Sequence, residues 1–278
     1  MPGWEEAHTT IIITMRHIPK AARAEWARVL SSTVDDVCSQ SGESRQWLKL
    51  YILPCCVLGA RPKEQGAMAQ SAAKEACKRW RDGQEAELWR EAVERKKVAA
   101  KRQEKDKAKR SKRGRRRQVE VVEDKEKKQL TRNIERSKML IEEGQLSRAA
   151  KALVSEGMDQ DSKEGLRVMR AKHPQVDDAV IPEEDITTPA ITITSRQIYE
   201  AIDSFKAGSA AGPSGLRGEC LKEARGKGRG AAAMTALTKL VNIMVGGGVP
   251  REVAPYLFGG NLFALVKKIW RAQTSGGW

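Results

Sequence analysis

Apolar residues recur at three- and four-residue intervals along most of this chain, and the elements they predict are helices. From Lys20 to Cys38, the positions Ala22, Trp26, Val29, Leu30, Thr33 and Val37 fall on one helical face, and Pro19 suits the first turn. A second apolar stretch, Trp47 to Leu53, is expected to end at Pro54. Gly59 and Pro62 then close a small helical unit over residues 1–62. Residues 66–156 read as helix almost throughout. Ala72, Ala76, Trp80, Leu88, Trp89 and Val93 give a weak stripe that vanishes into charge after Val98 and is interrupted at Gly114. Periodicity returns with Leu130, Ile134 and Ile141, breaks at Gly144, and resumes with Leu146, Ala149, Ala150 and Leu153, stopping near Gly157.

Asp161 with Glu164 marks the capping box of a helix reaching Met169, which His173-Pro174 ends. Residues 174–193 hold prolines and acids without helical period, and read as a linker with one extended stretch, Ala190 to Thr194. The clearest helix follows. Thr194 and Gln197 form a capping box, and Ile198, Ala201, Ile202 and Phe205 share a face. A glycine-rich loop, Gly208 to Gly215, leads into a short helix with Leu216, Cys220 and Leu221. Ala231 to Val245 is predicted helical, with Leu237, Leu240, Val241 and Met244 together. Gly246 to Gly248 ends it, Pro250 restarts a turn, and Asn261 to Val266 reads as a short strand. The expected fold class is mainly α, with no fixed-period repeat that would indicate a solenoid. Four regions emerge: a helical unit over 1–62, a long charged region over 63–157, a short helix and linker over 158–194, and a last segment over 195–278.

Composition limits the core these helices can build. Only 5% of the 278 residues are aromatic while 31% are charged, so small helical modules joined by solvated segments fit better than one core. The net charge of +15 is also uneven. Between Arg95 and Arg117 stand fourteen Lys/Arg against two acids, Glu104 and Asp106, which places +12 in 23 residues and leaves +3 for the rest. Such a block attracts polyanions, nucleic acid first among them. The candidate contacts are Arg95, Lys96, Lys97, Lys101, Arg102, Lys109, Arg110, Lys112, Arg113, Arg115, Arg116 and Arg117. No aromatic side chain in the run offers to stack on bases, so contact with RNA or DNA backbone without sequence preference is the most it provides. The plainer alternative is a solvated helix or disordered linker with no partner. Lys112 to Arg117 also has the look of a nuclear-localisation cluster.

Other features change the picture less. The five cysteines are odd in number, form no CxxC pair and stand at no metal-ligand spacing to His8, His17 or His173. Neither disulfide framework nor zinc site is expected, and an intracellular, reducing compartment is the default. No apolar run is long enough to span a bilayer, and the N-terminus lacks a signal peptide's pattern, so no membrane partner is expected. The loop Gly208 to Gly215 lets backbone approach a phosphate, but no Gly-Lys-Ser/Thr follows; by spacing it is a turn between helices. The acidic doublets Asp35-Asp36 and Asp177-Asp178 fall in an amphipathic helix and a linker. Both read as surface acids, and Cys55-Cys56 as a buried pair.

The string Ile198-Tyr-Glu-Ala-Ile-Asp-Ser-Phe-Lys-Ala-Gly-Ser-Ala-Ala-Gly-Pro-Ser-Gly-Leu-Arg217 resembles the segment just upstream of the fingers in non-LTR-type retrotransposon reverse transcriptases. The loop Gly212, Pro213, Ser214, Gly215 carries the likeness, which continues through Leu237-Thr-Lys-Leu-Val-Asn, Gly248-Val-Pro-Arg-Glu-Val and Leu262-Phe-Ala-Leu-Val-Lys-Lys. Arg16 to Arg23, Trp47 to Pro54 and Gly144 to Leu153 are similar to the non-catalytic leader of such reading frames. The resemblance implies an RNA-directed DNA polymerase whose palm holds Mg²⁺, and adds Arg217, Lys267 and Lys268 as nucleic-acid contacts. After Lys268 the likeness ends, and Ile269 to Trp278 does not continue the family's pattern. The palm and its metal ligands are therefore expected to be missing, the finger subdomain incomplete, and polymerase chemistry and its cofactor absent. The rival expectation is a helical adaptor. Its stripes Ala72/Ala76/Trp80 and Leu130/Ile134/Ile141 would then mediate self-association or partner binding.

Overall fold

A computed structural model of the chain describes residues 1–60, 66–114, 121–142, 144–155, 167, 170–171, 191–226 and 229–258. In chain order the helices are α1 (Trp4–Thr9), α2 (Arg23–Ser39, entered through a 3-10 turn at Lys20–Ala22), α3 (Ser44–Val57), α4 (Ala67–Arg81), α5 (Glu85–Gly114), α6 (Val121–Glu142), α7 (Leu146–Leu153), α8 (Ser195–Ser204), α9 (Gly218–Ala224), α10 (Arg229–Val245) and α11 (Ala254–Phe258). The fold is mainly α, as the periodicity predicts. Among the described residues, extended pairing is limited to one antiparallel bridge between Thr14 and Gly59. The chain separates into two compact units, Met1–Lys112 with Thr188–Gly260, and Arg113–Thr187 with Asn261–Trp278.

The first unit is built around α2. Trp26, Val29, Leu30, Val34 and Val37 are the positions its 3.6-residue period predicts or directly neighbours, and each is buried. Helix α10 packs along α2 and contributes Ala233, Met234, Ala236 and Leu240 to the same core. Side chains from residues 4–93 and 193–257 contribute to this one core. Helix α3 also runs further than its sequence suggests. It passes through Pro54 to Val57, although proline removes one helical hydrogen bond and crowds the preceding turn. Leu53, Pro54, Cys55, Cys56 and Val57 are all buried, and that burial offsets the local cost. Leu58 N–H then donates to the Pro54 carbonyl at 2.8 Å and closes the helix.

The stripe on α4 keeps Ala76 and Trp80 as expected, with Ala73 in place of Ala72. Ala73, Ala76, Cys77 and Trp80 are buried, and the Trp80 indole donates to Thr33 Oγ1 at 3.0 Å. Leu88, Trp89 and Ala92 continue the core into α5. On α8 the expected capping box is present, with Gln197 N–H donating to Thr194 Oγ1 at 3.3 Å and Thr194 N–H to Gln197 Oε1 at 2.9 Å. Ile198 and Ile202 are buried as expected. The helix ends at Ser204, however, and leaves Phe205 exposed.

In the second unit α6 and α7 pack as a hairpin joined at Gly144, which takes a φ of 72°. Its seam is small and polar rather than leucine-rich: Asn133, Ser137, Ala149 and Ala152 are buried. Asn133 Nδ2 donates to the carbonyls of Leu153 (3.1 Å) and Ser155 (2.7 Å), which α7 leaves unmet at its C-terminus. Leu130, Ile134 and Ile141 are consequently 52%, 38% and 53% exposed. The capping box at Asp161 and most of its helix, the linker to Ala190, Pro62, Asp177-Asp178 and the strand Asn261 to Val266 lie outside the described residues.

Candidate nucleic-acid interface and the loop that faces the core

Helix α5 divides into an anchored half and an exposed half. The anchored half is held by Leu88, Trp89 and Ala92 in the core, with the Trp89 indole donating to Glu6 Oε1 at 3.3 Å. Lys49 bridges to Glu85 at 2.8 Å, and Arg79 grips Glu91 with two nitrogens at 3.1 and 2.7 Å. Arg95 belongs to this half. It pairs with Glu91 at 3.6 Å, and its guanidinium lies beside Gly59. Beyond it the apolar stripe ends, and Lys96, Lys97, Lys101 and Arg102 are exposed. The backbone is helical through Lys109, Arg110, Lys112 and Arg113 to Gly114. Arg115, Arg116 and Arg117 lie outside the described residues, as do Lys267 and Lys268.

The Gly212-Pro213-Ser214-Gly215 loop joins α8 to α9 and turns inward. Gly215 N–H donates to the Gly212 carbonyl at 2.9 Å, and Gly212 N–H to the Leu216 carbonyl at 3.2 Å. Two residues from the N-terminal part of the chain meet the loop carbonyls: Thr14 Oγ1 donates to Gly215 O at 2.7 Å, and the Cys55 thiol to Ser214 O at 3.2 Å. The Gly212 and Gly215 amides are thus engaged within the turn rather than turned toward a phosphate. Behind it lies an apolar cavity of about 320 Å³ lined by residues including Trp47, Tyr51, Pro213, Leu216, Leu240 and Tyr256.

Gly215 is the residue this geometry constrains most. Its φ is +78°, and a Cβ there would sit 2.9 Å from Thr14 Cγ2 and 3.1 Å from Cys55 Sγ. Gly212 has open space around the same position and no positive φ. Gly215→Ala is therefore expected to cost roughly 2–3 kcal/mol through left-handed strain and overpacking. Gly212→Ala should stay within about 0.5 kcal/mol. Urea unfolding of the two variants checks this, and equal midpoints would contradict it.

Arg217 is a strap on this loop rather than an open cation. It is partly buried and donates to the Ser209 carbonyl at 3.3 Å. Glu219, 8% exposed, accepts from Gly208 N–H at 2.6 Å, and Lys222 donates to the Phe205 carbonyl at 2.6 Å. Helix α9 is fixed in turn by Glu223, which accepts from Ile18 N–H and from Arg23 at 2.6 Å each and meets His17 at 3.3 Å. Asn242 exchanges two hydrogen bonds with the Ile193 backbone, at 2.7 and 2.9 Å, and so positions the segment entering α8. Glu219, Glu223, Asn242 and Thr14 have no local sequence signal, because their partners are up to about two hundred residues away.

The described carboxylates do not fit the Mg²⁺ pair that the resemblance implies for a palm. Asp35 and Asp36 face outward from α2, with Asp35 accepting from Ser31 at 3.4 Å. Glu219 and Glu223 are taken up by backbone and arginine partners. No group of three His, Cys, Asp or Glu residues stands together among the described residues. Cys55 and Cys56 are buried as expected. Burial pushes the thiols of Cys55 and Cys77 up to about 12 and that of Cys220 to about 11, so they serve as neutral packing groups rather than nucleophiles. Among the described residues no helix is long and apolar enough to cross a membrane. No family model matches the chain, and no curated protein or solved structure is significantly similar to it.

Proposed function

We propose that this chain is a nucleic-acid-binding segment of a retrotransposon-type reverse-transcriptase polypeptide, contacting RNA or DNA through phosphates and carrying no polymerase chemistry itself. The observation that carries the binding reading is the exposed half of α5, where Lys96, Lys97, Lys101 and Arg102 stand in solvent on a helix anchored at its other end. The retrotransposon assignment rests on the sequence likeness. It is supported by the way the likeness-bearing pieces, Arg16 to Arg23, Trp47 to Pro54, the Gly-Pro-Ser-Gly loop and Leu237 to Asn242, pack into one core. On this reading the basic cluster ending at Arg117 also directs the chain to the nucleus. The test is binding of the intact chain to a labelled oligonucleotide at several salt concentrations. Log affinity is expected to fall linearly with log salt, and deleting residues 95–117 to abolish it. Binding that survives that deletion sinks the reading, as does template-dependent DNA synthesis by the chain.

One observation favours a second reading, helix-mediated self-association. The Ala72/Ala76/Trp80 stripe is not available for it, since Ala76 and Trp80 are in the core and Ala72 is half-buried. The α6–α7 hairpin is different. Leu130, Ile134 and Ile141 on α6, and Leu146 and Leu153 on α7, are all exposed, and solvated apolar stripes on both helices of a hairpin mark a contact surface. A concentration-dependent mass in sedimentation, lost in Ile134→Asp, is the expected outcome. A monomer at all concentrations discards this reading.

A further inference from the structure

The shape and charge of α5 narrow the class of nucleic acid. From Lys96 to Gly114 the helix has 19 residues, about 28 Å at 1.5 Å per residue, with ten Lys/Arg and two acids. At about 100° per residue the register positions of those ten cations are spread around the helix, with no gap between them wider than about 80°. The widest gap, between the positions of Lys107 and Lys97, holds Ala100, Glu104 and Ser111. A helix that lies along a single strand or a flat acidic face needs cations on one side only. Charge on all sides suits a groove whose two walls both carry phosphates.

The geometry points to the exposed half of α5 binding double-stranded DNA by lying in the major groove, an inference that rests on the nucleic-acid reading above. The major groove of B-form DNA is about 12 Å wide and admits an α-helix of about 10–12 Å diameter. The corresponding groove of A-form RNA is deep and narrow and closed to a helix. Single strands are gripped chiefly by aromatic stacking, and Lys96 to Gly114 contains no aromatic residue. Contact with the two phosphate walls fixes the helix in position, whichever bases lie at the floor. Leu88, Trp89 and Ala92 anchor the turns that precede the basic stretch.

Two arms test this with the intact chain at one salt concentration. In the first, a 20-base-pair DNA duplex, the RNA duplex of the same sequence and each single strand compete for the protein. DNA duplex is expected to bind at least about tenfold tighter than the others. In the second, Ala100→Pro keeps every charge but breaks the helix beyond the anchored half, at an exposed position where the core is untouched. It is expected to lower affinity for duplex DNA about tenfold and to erase the preference. Equal affinity for all four nucleic acids, or an A100P variant that binds duplex DNA as tightly as the parent, overturns the groove inference and leaves phosphate binding standing. Absence of binding to any of them overturns the nucleic-acid reading itself.

Discussion

Trp26→Ala is expected to lower stability by about 3–5 kcal/mol and to loosen α2 and α10 together. Trp26 is fully buried on α2, its indole N–H donates to the Cys220 carbonyl at 3.1 Å, and its neighbours come from both ends of the chain. Truncation removes the transfer free energy of the ring, leaves a cavity that a helical core fills only in part, and strands a buried carbonyl. Set against a typical domain stability of about 5–15 kcal/mol, the loss is a large share of the whole. Trp26→Phe keeps most of the volume and loses only the donor, so it should cost about 1–3 kcal/mol. The stronger test is where the loss appears. Hydrogen exchange should show peptides from Arg23–Ser39 and Arg229–Val245 losing protection at one common free energy, because the two helices share a core. If the N-terminal peptides weaken while those of α10 keep their protection, residues 1–62 form a separate module after all.

That module is what the sequence suggests, and the reason lies in what a sequence pattern records. Periodicity reports which face of each helix is apolar, and it identifies Trp26, Val29, Leu30, Ile198, Ile202 and Leu240 as core. It does not report which faces meet. The pairing of α2 with α10, and the Glu223 clasp on Ile18 and Arg23, join positions about two hundred residues apart. Local rules fall short in two further places. Pro54 reads as a terminator, yet burial of the five residues from Leu53 to Val57 carries the helix through it. Leu130, Ile134 and Ile141 give α6 its helical period but do not show where α7 packs: the seam is made by Asn133 and Ser137, whose polarity hides it from any apolar pattern. Capping chemistry is more legible. The Thr194 and Gln197 box is complete within four residues, so nothing distant has to be known. The basic run is legible for the same reason, as a matter of composition. Its division at Arg95 is not, because the ion pair with Glu91 and the packing beside Gly59 belong to the tertiary fold.

Replacing Lys96, Lys97, Lys101 and Arg102 together with Gln is expected to reduce the salt dependence of nucleic-acid binding by about 3–4 in d log K/d log[salt], since each neutralised phosphate contributes about 0.9. At about 0.1 M salt the same relation puts the affinity loss at roughly a thousandfold. Stability should hardly change, because all four side chains are exposed and remote from the core. Lower net charge alone would also weaken binding, so the comparison that decides is a second quadruple variant, Lys20, Lys74, Lys78 and Arg196 to Gln. It removes the same four charges from exposed positions elsewhere in the first unit. If α5 is the contact, the second variant keeps the parent's slope, because cations that touch no phosphate release no counterions. If both variants flatten the slope equally, the chain attracts polyanions as a diffuse cation, and neither the exposed half of α5 nor its anchorage has a special part in binding.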